Sequence, residues 1–172
     1  MAAVVTLTVG IVLGVIAGQG GDEDGAKDAA PTPTLAVALP DLQPDPARLQ
    51  RAEVTEVIDG DTIEVRIGGR IERVRYYGLD TPERDGRCFE DATTRNASLV
   101  GETVLLLADA RERDQFDRLL RYAFGEDGSS IDARLIAEGL GRAWELDGAY
   151  RDELVALEEQ ARAEMVGCLW EN

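Results

Sequence analysis

The sequence predicts a small α+β domain built on a β-barrel, on three observations. Residues 62–67 alternate, with Ile63, Val65 and Ile67 on one face and Thr62, Glu64 and Arg66 on the other. Gly68-Gly69 then offers a hairpin turn into a second run, Ile71 to Leu79, and two further apolar runs, Thr103 to Ala108 and Leu119 to Phe124, read as strands. Three segments carry a helical period between and after them. With a first strand beginning at Ala52, this gives about five antiparallel strands interrupted by three helices.

The helices follow from their punctuation. Phe89, Ala92 or Thr93, Ala97 and Val100 share one stripe that Gly101 ends, and Ser130 is a good N-cap for Ile131 to Glu138, which Gly139 stops. The last helix, from about Tyr150 to Val166, places Tyr150, Leu154, Leu157, Ala161 and Met165 on one face, with Gly167 at its end.

The folded domain is expected over residues 51–172. Residues 2–18 are uncharged and almost wholly apolar, at the lower limit for a membrane span, so they read as a signal peptide or a membrane anchor and place the domain outside the cytoplasm, secreted or tethered. Residues 19–50 hold five of the six prolines among Gly, Ala and Asp, the composition of a disordered, flexible linker.

Composition narrows the chemistry. The chain has 172 residues and no His, which excludes a Ser/His/Asp triad and His-containing zinc sites. Cys88 and Cys168 are too few for a four-thiolate cage. Catalysis must then rest on carboxylates, Arg, Tyr, backbone groups or a metal held by oxygen. The net charge of −16 argues against nonspecific attraction to nucleic acid, yet residues 66–87 sum to +2 and residues 111–121 to +1, through Arg alone. Positive charge is kept where an anion would bind.

Within those stretches Asp59-Gly60-Asp61-Thr62 sits at a strand bend, and Asp80-Thr81-Pro82-Glu83 ends another strand. Asp61, Asp80 and the carbonyl of Thr81 are hard oxygen donors of the kind that bind calcium. Arg75 and Asp80 have opposite parity along an extended strand, so a bend or bulge is needed to turn both inward. Arg111, Arg113 and Arg121 read as solvated barrel surface; Tyr76, Tyr77 and Tyr122 read as core, with base stacking as the other use; Asn96-Ala97-Ser98 matches a glycosylation sequon but falls on a predicted helix.

The strings VIDGDTIEV, RVRYYGLDTPE, RDQFDRLLRYAF, LIAEGLGRAW and GCLW, in this order and spacing, resemble the staphylococcal nuclease (thermonuclease) family over residues 52–170. That resemblance implies an OB-fold barrel of five strands with three helices and a monomeric catalytic domain. It also implies calcium-dependent endonuclease activity on DNA or RNA, with cleavage on the 5′-oxygen side. Carried over, Asp61, Asp80 and the Thr81 carbonyl resemble calcium ligands, Asp59 an outer-shell acid, Glu83 the general base, and Arg75 and Arg118 the arginines that grip the scissile phosphate. A solvated glutamate is a feeble base at neutral pH, so Glu83 needs a water already acidified by the metal. Two Arg forks stabilise charge that grows on a five-coordinate phosphorus. The competing reading is a noncatalytic OB-fold module that binds nucleic acid or a partner.

Two departures from the family pattern stand out. Phe116 and Asp117 replace the usual Tyr-Gly before Arg118, removing a hydroxyl and placing a carboxylate next to that arginine. The family fold also brings Cys88 and Cys168 into the same region, and a disulfide between them is expected in an exported protein.

Overall fold

The computed structural model describes residues 38–171. The apolar segment 2–18 and the first part of the linker lie outside the described residues. Five strands, β1 (Gln50–Val57), β2 (Thr62–Ile67), β3 (Arg70–Tyr76), β5 (Thr103–Arg113) and β6 (Leu119–Phe124), close into a barrel in the order β1-β2-β3-β6-β5. Four of the five strand pairings are antiparallel; β3 and β6 run parallel. This is the OB-fold, and its closure leaves no long unpaired edge. The alternation in β2 holds: Ile63 and Val65 are buried in the barrel with Val74, Leu106 and Ala123.

Every residue of β6 is buried, because its outward face is covered by α2 (Ile131–Ala137). The Ser130 hydroxyl caps that helix by accepting from the Ala133 N–H at 3.1 Å. Tyr76, Tyr77 and Tyr122 are each at most 2% exposed, so they are core rather than stacking surface, and Tyr77 stacks on Tyr122 with ring centroids 5.1 Å apart.

The strand expected to run to Leu79 breaks earlier. The chain turns at Tyr77-Gly78, and Leu79–Asp80 (β4) leaves the barrel to pair with Arg142–Ala143 (β7). Gly78 is required there: a Cβ would lie 2.4 Å from Leu154 Cδ1, on α3 (Arg151–Ala163). This is the bend that the parity of Arg75 and Asp80 demands. A further helix, α1 (Phe89–Val100), ends at Gly101 with φ +60°.

Three expectations need correction. Met165 is 57% exposed rather than on the buried stripe, because α3 stops at Ala163 and Met165 itself has φ +53°. Arg121 is not solvated surface but 6% exposed, its guanidinium donating to the Leu120 carbonyl at 2.8 Å and pairing with the Glu112 carboxylate. The linker drawn to residue 50 is laid against the domain from residue 38 onward. Leu42 is buried in the core, Leu39 and Leu49 pack on it, and Asp45 caps a single turn of 3-10 helix over Pro46–Arg48. Its spaced leucines outweigh its prolines.

Cys88 and Cys168 form a disulfide. It ties the tail after α3 to the segment before α1. The tail returns past α2, where Gly139 and Gly167 meet so closely that a Cβ on either would fall within 2 Å of a carbonyl oxygen on the facing segment.

Candidate active site

The Asp59-Thr62 bend between β1 and β2 is held by its own backbone. Ile58 N–H donates to the Thr62 carbonyl at 3.0 Å, and Asp61 N–H donates to the Asp59 carboxylate at 3.1 Å. Gly60 admits the close approach of Thr81, whose Oγ1 would lie 2.7 Å from a Cβ there. Asn96, fully buried in α1, locks the bend from behind: its Nδ2 donates to the Asp59 carbonyl and its Oδ1 accepts from Tyr76 Oη, both at 2.8 Å. The sequon is therefore not a glycan site, since its amide is enclosed and committed. Nothing in the local sequence marks Asn96 for this positioning role; only the packing of α1 against the bend shows it.

Asp61 is 5% exposed and fully engaged. Its Oδ2 accepts from the Thr81 N–H at 2.7 Å and the Thr81 hydroxyl at 2.8 Å; its Oδ1 accepts from the Thr62 hydroxyl and pairs with Arg75 Nε, both at 3.0 Å. Arg75 in turn reaches Asp80 Oδ1 from Nη2 at 2.6 Å, and its Nη1 donates to the Tyr76 carbonyl at 2.8 Å and to the Leu79 carbonyl. One guanidinium thus joins the two carboxylates that the sequence placed on separate strands. Asp59 lies just behind; burial first, then the neighbouring Asp61 charge, raises its carboxyl above the ordinary range.

Arg118 is held differently. Its Nε donates to Asp114 Oδ2 at 2.7 Å and its own N–H to Asp114 Oδ1 at 3.0 Å, while its guanidinium lies 5.5 Å from the Phe116 ring. Among the described residues neither Nη of Arg118 has a hydrogen-bond partner. Burial opposes the charge on Asp114, but N–H bonds from Arg118 and Phe116 and the Arg118 guanidinium outweigh it and hold that carboxyl below its usual range. The carboxylate beside Arg118 is therefore Asp114, which sequence reasoning missed. Asp117 is 89% exposed at its side chain and pairs with Arg113 at 3.5 Å instead. The Asp-x-x-x-Arg spacing across a turn was the signal available.

Arg75 and Arg118 line one cleft of about 370 Å³, together with Phe116, Arg111 and Trp144. There Arg111 makes a two-pronged pair with Asp147 at 2.6 and 2.7 Å, its guanidinium 4.9 Å from the centre of the Tyr77 ring. That pairing, above all, lowers the Asp147 carboxyl from its usual value. Glu83 is exposed on the loop after β4 and lines two adjoining hollows, one shared with Arg118 and one with Asp80 and Thr81. The structure therefore brings Asp59, Asp61, Arg75, Asp80, Thr81, Glu83 and Arg118 to one side of the barrel.

Among the described residues no three acids, cysteines or histidines are grouped as a ready metal cage. The oxygen set is smaller: Asp61 and Asp80, facing the same guanidinium, and the Thr81 carbonyl, whose N–H and hydroxyl fix its residue against Asp61. Two carboxylates and a carbonyl fit a hard divalent cation completed by water. Chemically, the site offers paired acids on a rigid base, an uncommitted guanidinium fork and a solvated carboxylate on one side of the barrel.

Comparison with known proteins agrees. Residues 73–172 match the family model described as Staphylococcal nuclease homologue. The chain is 36% identical over 124 residues to the SPbeta prophage-derived endonuclease YokF of Bacillus subtilis, covering 66% of this chain and 41% of that protein. It is 34% identical over 134 residues to the endonuclease YncB of the same organism, covering 72% of this chain and 63% of that protein. Against the thermonuclease of Staphylococcus hyicus it is 31% identical over 138 residues, covering 73% of this chain and 79% of the other. The chain thus spans about half the length of the two Bacillus relatives. With the closed barrel, the clustered carboxylates and these matches together, the chain belongs to the staphylococcal nuclease family.

Proposed function

We propose that the protein is a calcium-dependent nuclease that hydrolyses phosphodiester bonds of DNA or RNA. One observation carries the reading: Arg118, whose two Nη atoms have no protein partner among the described residues, lines the same cleft as Arg75, the guanidinium that joins Asp61 to Asp80. A guanidinium fork of that kind matches two phosphate oxygens. Asp61, Asp80 and the Thr81 carbonyl would hold calcium, which supplies a Lewis acid for the phosphate and an acidified water. The endonuclease and thermonuclease names of the relatives support the same class.

Arg118 binds and orients the phosphate, and its charge offsets the negative charge that grows on the equatorial oxygens. Arg75, with most of its donors committed, keeps the carboxylates in place and has an Nη2 N–H left to turn toward the phosphate. Glu83 accepts the proton of the attacking water as that oxygen bonds to phosphorus and the bond to the 5′-oxygen breaks, the leaving oxygen taking up a proton from solvent as it departs as an alcohol. Export is part of the reading, supported by the apolar segment 2–18 and by a disulfide of the kind found in oxidising compartments.

The test is turnover of single-stranded DNA and RNA with calcium or with chelator, for the parent chain and Glu83→Gln. Cleavage that needs calcium and falls at least about a hundredfold in Glu83→Gln bears the reading out. Tight binding with no cleavage under any calcium or salt condition replaces it with the noncatalytic OB-fold module.

A further inference from the structure

Asp80, Thr81 and Glu83 also line a hollow of about 280 Å³ whose two arginines have no role in the proposed reaction. Arg87, Arg142 and Leu169 complete its lining, with Pro82. We propose that this hollow is a second phosphate subsite, in which Arg87 and Arg142 hold a backbone phosphate of the nucleic-acid strand next to the one bound at Arg118. The occupant is inferred from the proposed nuclease reading.

The argument begins with how this chain uses its arginines. With acids outnumbering basic residues 34 to 18, most guanidiniums are taken up by carboxylates: Arg51, Arg66, Arg73, Arg95, Arg111, Arg113, Arg121 and Arg151 all sit in ion pairs. Arg87 and Arg142 are exceptions. Among the described residues neither has a carboxylate within ion-pair distance, although Asp80 lies directly across the β4–β7 ladder from Arg142. Asp80 is taken by Arg75, which leaves the Arg142 charge uncompensated on the active-site side.

Arg142 and Arg87 are also positioned rather than loose. Arg142 lies over the Trp170 ring at 5.2 Å, with Arg162 on the same indole at 5.4 Å, and Arg87 Nη2 donates to the Glu171 carbonyl at 2.7 Å. Stacking leaves the in-plane N–H groups of a guanidinium available to an anion. Both arginines therefore depend on the tail, whose course is set by the Cys88–Cys168 disulfide and by the Leu169 N–H bond to the Gly139 carbonyl at 3.1 Å. Through Leu169 and the two arginines the tail thus shares the lining of the hollow with Asp80.

The test is the salt dependence of binding of a fluorescent single-stranded oligonucleotide, read by anisotropy for the parent chain, Arg87→Gln/Arg142→Gln and Arg66→Gln. Removing one arginine that neutralises a phosphate lowers the magnitude of the slope of log K against log salt by about 0.7 on a single strand. The double variant removes two such charges and is expected to lower it by about 1.4, whereas Arg66→Gln, which removes a charge outside the hollow, is expected to leave it unchanged. A double-variant slope equal to the parent's overturns the subsite, as does an equal drop in Arg66→Gln, which would make the effect one of overall charge. Cleavage measured in parallel separates the two readings. Turnover with an unchanged slope sinks the subsite alone, and a lowered slope without turnover sinks the nuclease reading alone.

Discussion

Asp61 and Glu83 lie on the same side of the barrel, one on each side of Thr81, but are built in opposite ways. Asp61 is enclosed, accepts from three protein groups and pairs with Arg75 inside a bend that Gly60, Thr81 and Asn96 lock. Glu83 stands in solvent on a loop, its carboxylate without a protein partner among the described residues. The first construction fixes oxygen positions to within a hydrogen bond; the second leaves a carboxylate able to meet water and give up a proton again. On the proposed reading, the side that would place a cation is rigid, and the side that would move a proton is not.

The largest effect should come from breaking the rigid side. Arg75→Met leaves Asp61 buried without its counter-charge, which costs about 3–5 kcal/mol of folding stability in such pairs, and activity should vanish with it. Glu83→Gln should lower kcat by about 10²–10⁴-fold while the denaturation midpoint stays where it was. Urea unfolding beside initial rates separates them. An Arg75→Met protein as stable as the parent would end the contrast.

A second buried carboxylate sharpens it. Asp132 is 0% exposed, yet it accepts only backbone N–H groups, from Gly78 at 3.1 Å and Ala123 at 2.9 Å, and no ion pair reaches it among the described residues. Burial dominates over those bonds and pushes its carboxyl up to about 6 from 3.8. Since the folded value is the higher one, its stabilising contribution is complete below 3.8 and is lost as pH rises through about 6. Relative to Asp132→Asn, the parent chain should lose up to about 3 kcal/mol between about pH 4 and pH 7. Unfolding curves at a series of pH values check this, and a flat difference refutes it. Asp132 holds Gly78, the bend that swings Asp80 toward Arg75, so the effect lies on the rigid side.

The same contrast explains what could be read from the chain. Elements whose burial is one-sided announced themselves: β2 by alternation, α2 by Ser130 and Gly139, and α1 by Ala92, Val100 and Gly101, although Ala97, expected on the same stripe, is exposed and Asn96 takes the buried position beside it. The site acids were legible because Asp-Gly and Asp-Thr-Pro are turn chemistry as well as ligand chemistry. What stayed hidden depends on partners distant in sequence. Arg121 looked solvated because a charge inside a strand suggests a wet face, whereas the end of β5 folds over it. Asn96 and Asp114 act through partners that only the packed chain supplies. The two-residue ladder of Leu79–Asp80 with Arg142–Ala143 is too short to leave a pattern.

The smallest expected effect concerns the two acids of the Arg118 turn. Asp117 follows Phe116 with φ +64° and points into solvent, so Asp117→Gly relieves a left-handed backbone while giving up an exposed ion pair with Arg113. Stability should rise by about 0.5 kcal/mol or stay level, and cleavage should change less than about twofold. Asp114→Asn removes the charge that anchors Arg118 Nε and should lower kcat/KM about tenfold, the equivalent of one charged hydrogen bond of about 1.4 kcal/mol. If Asp117→Gly instead raised activity as much as Asp114→Asn lowered it, the neighbour in sequence and not the partner in space would govern the phosphate-binding arginine, and the assignment of Asp114 as its anchor would fail.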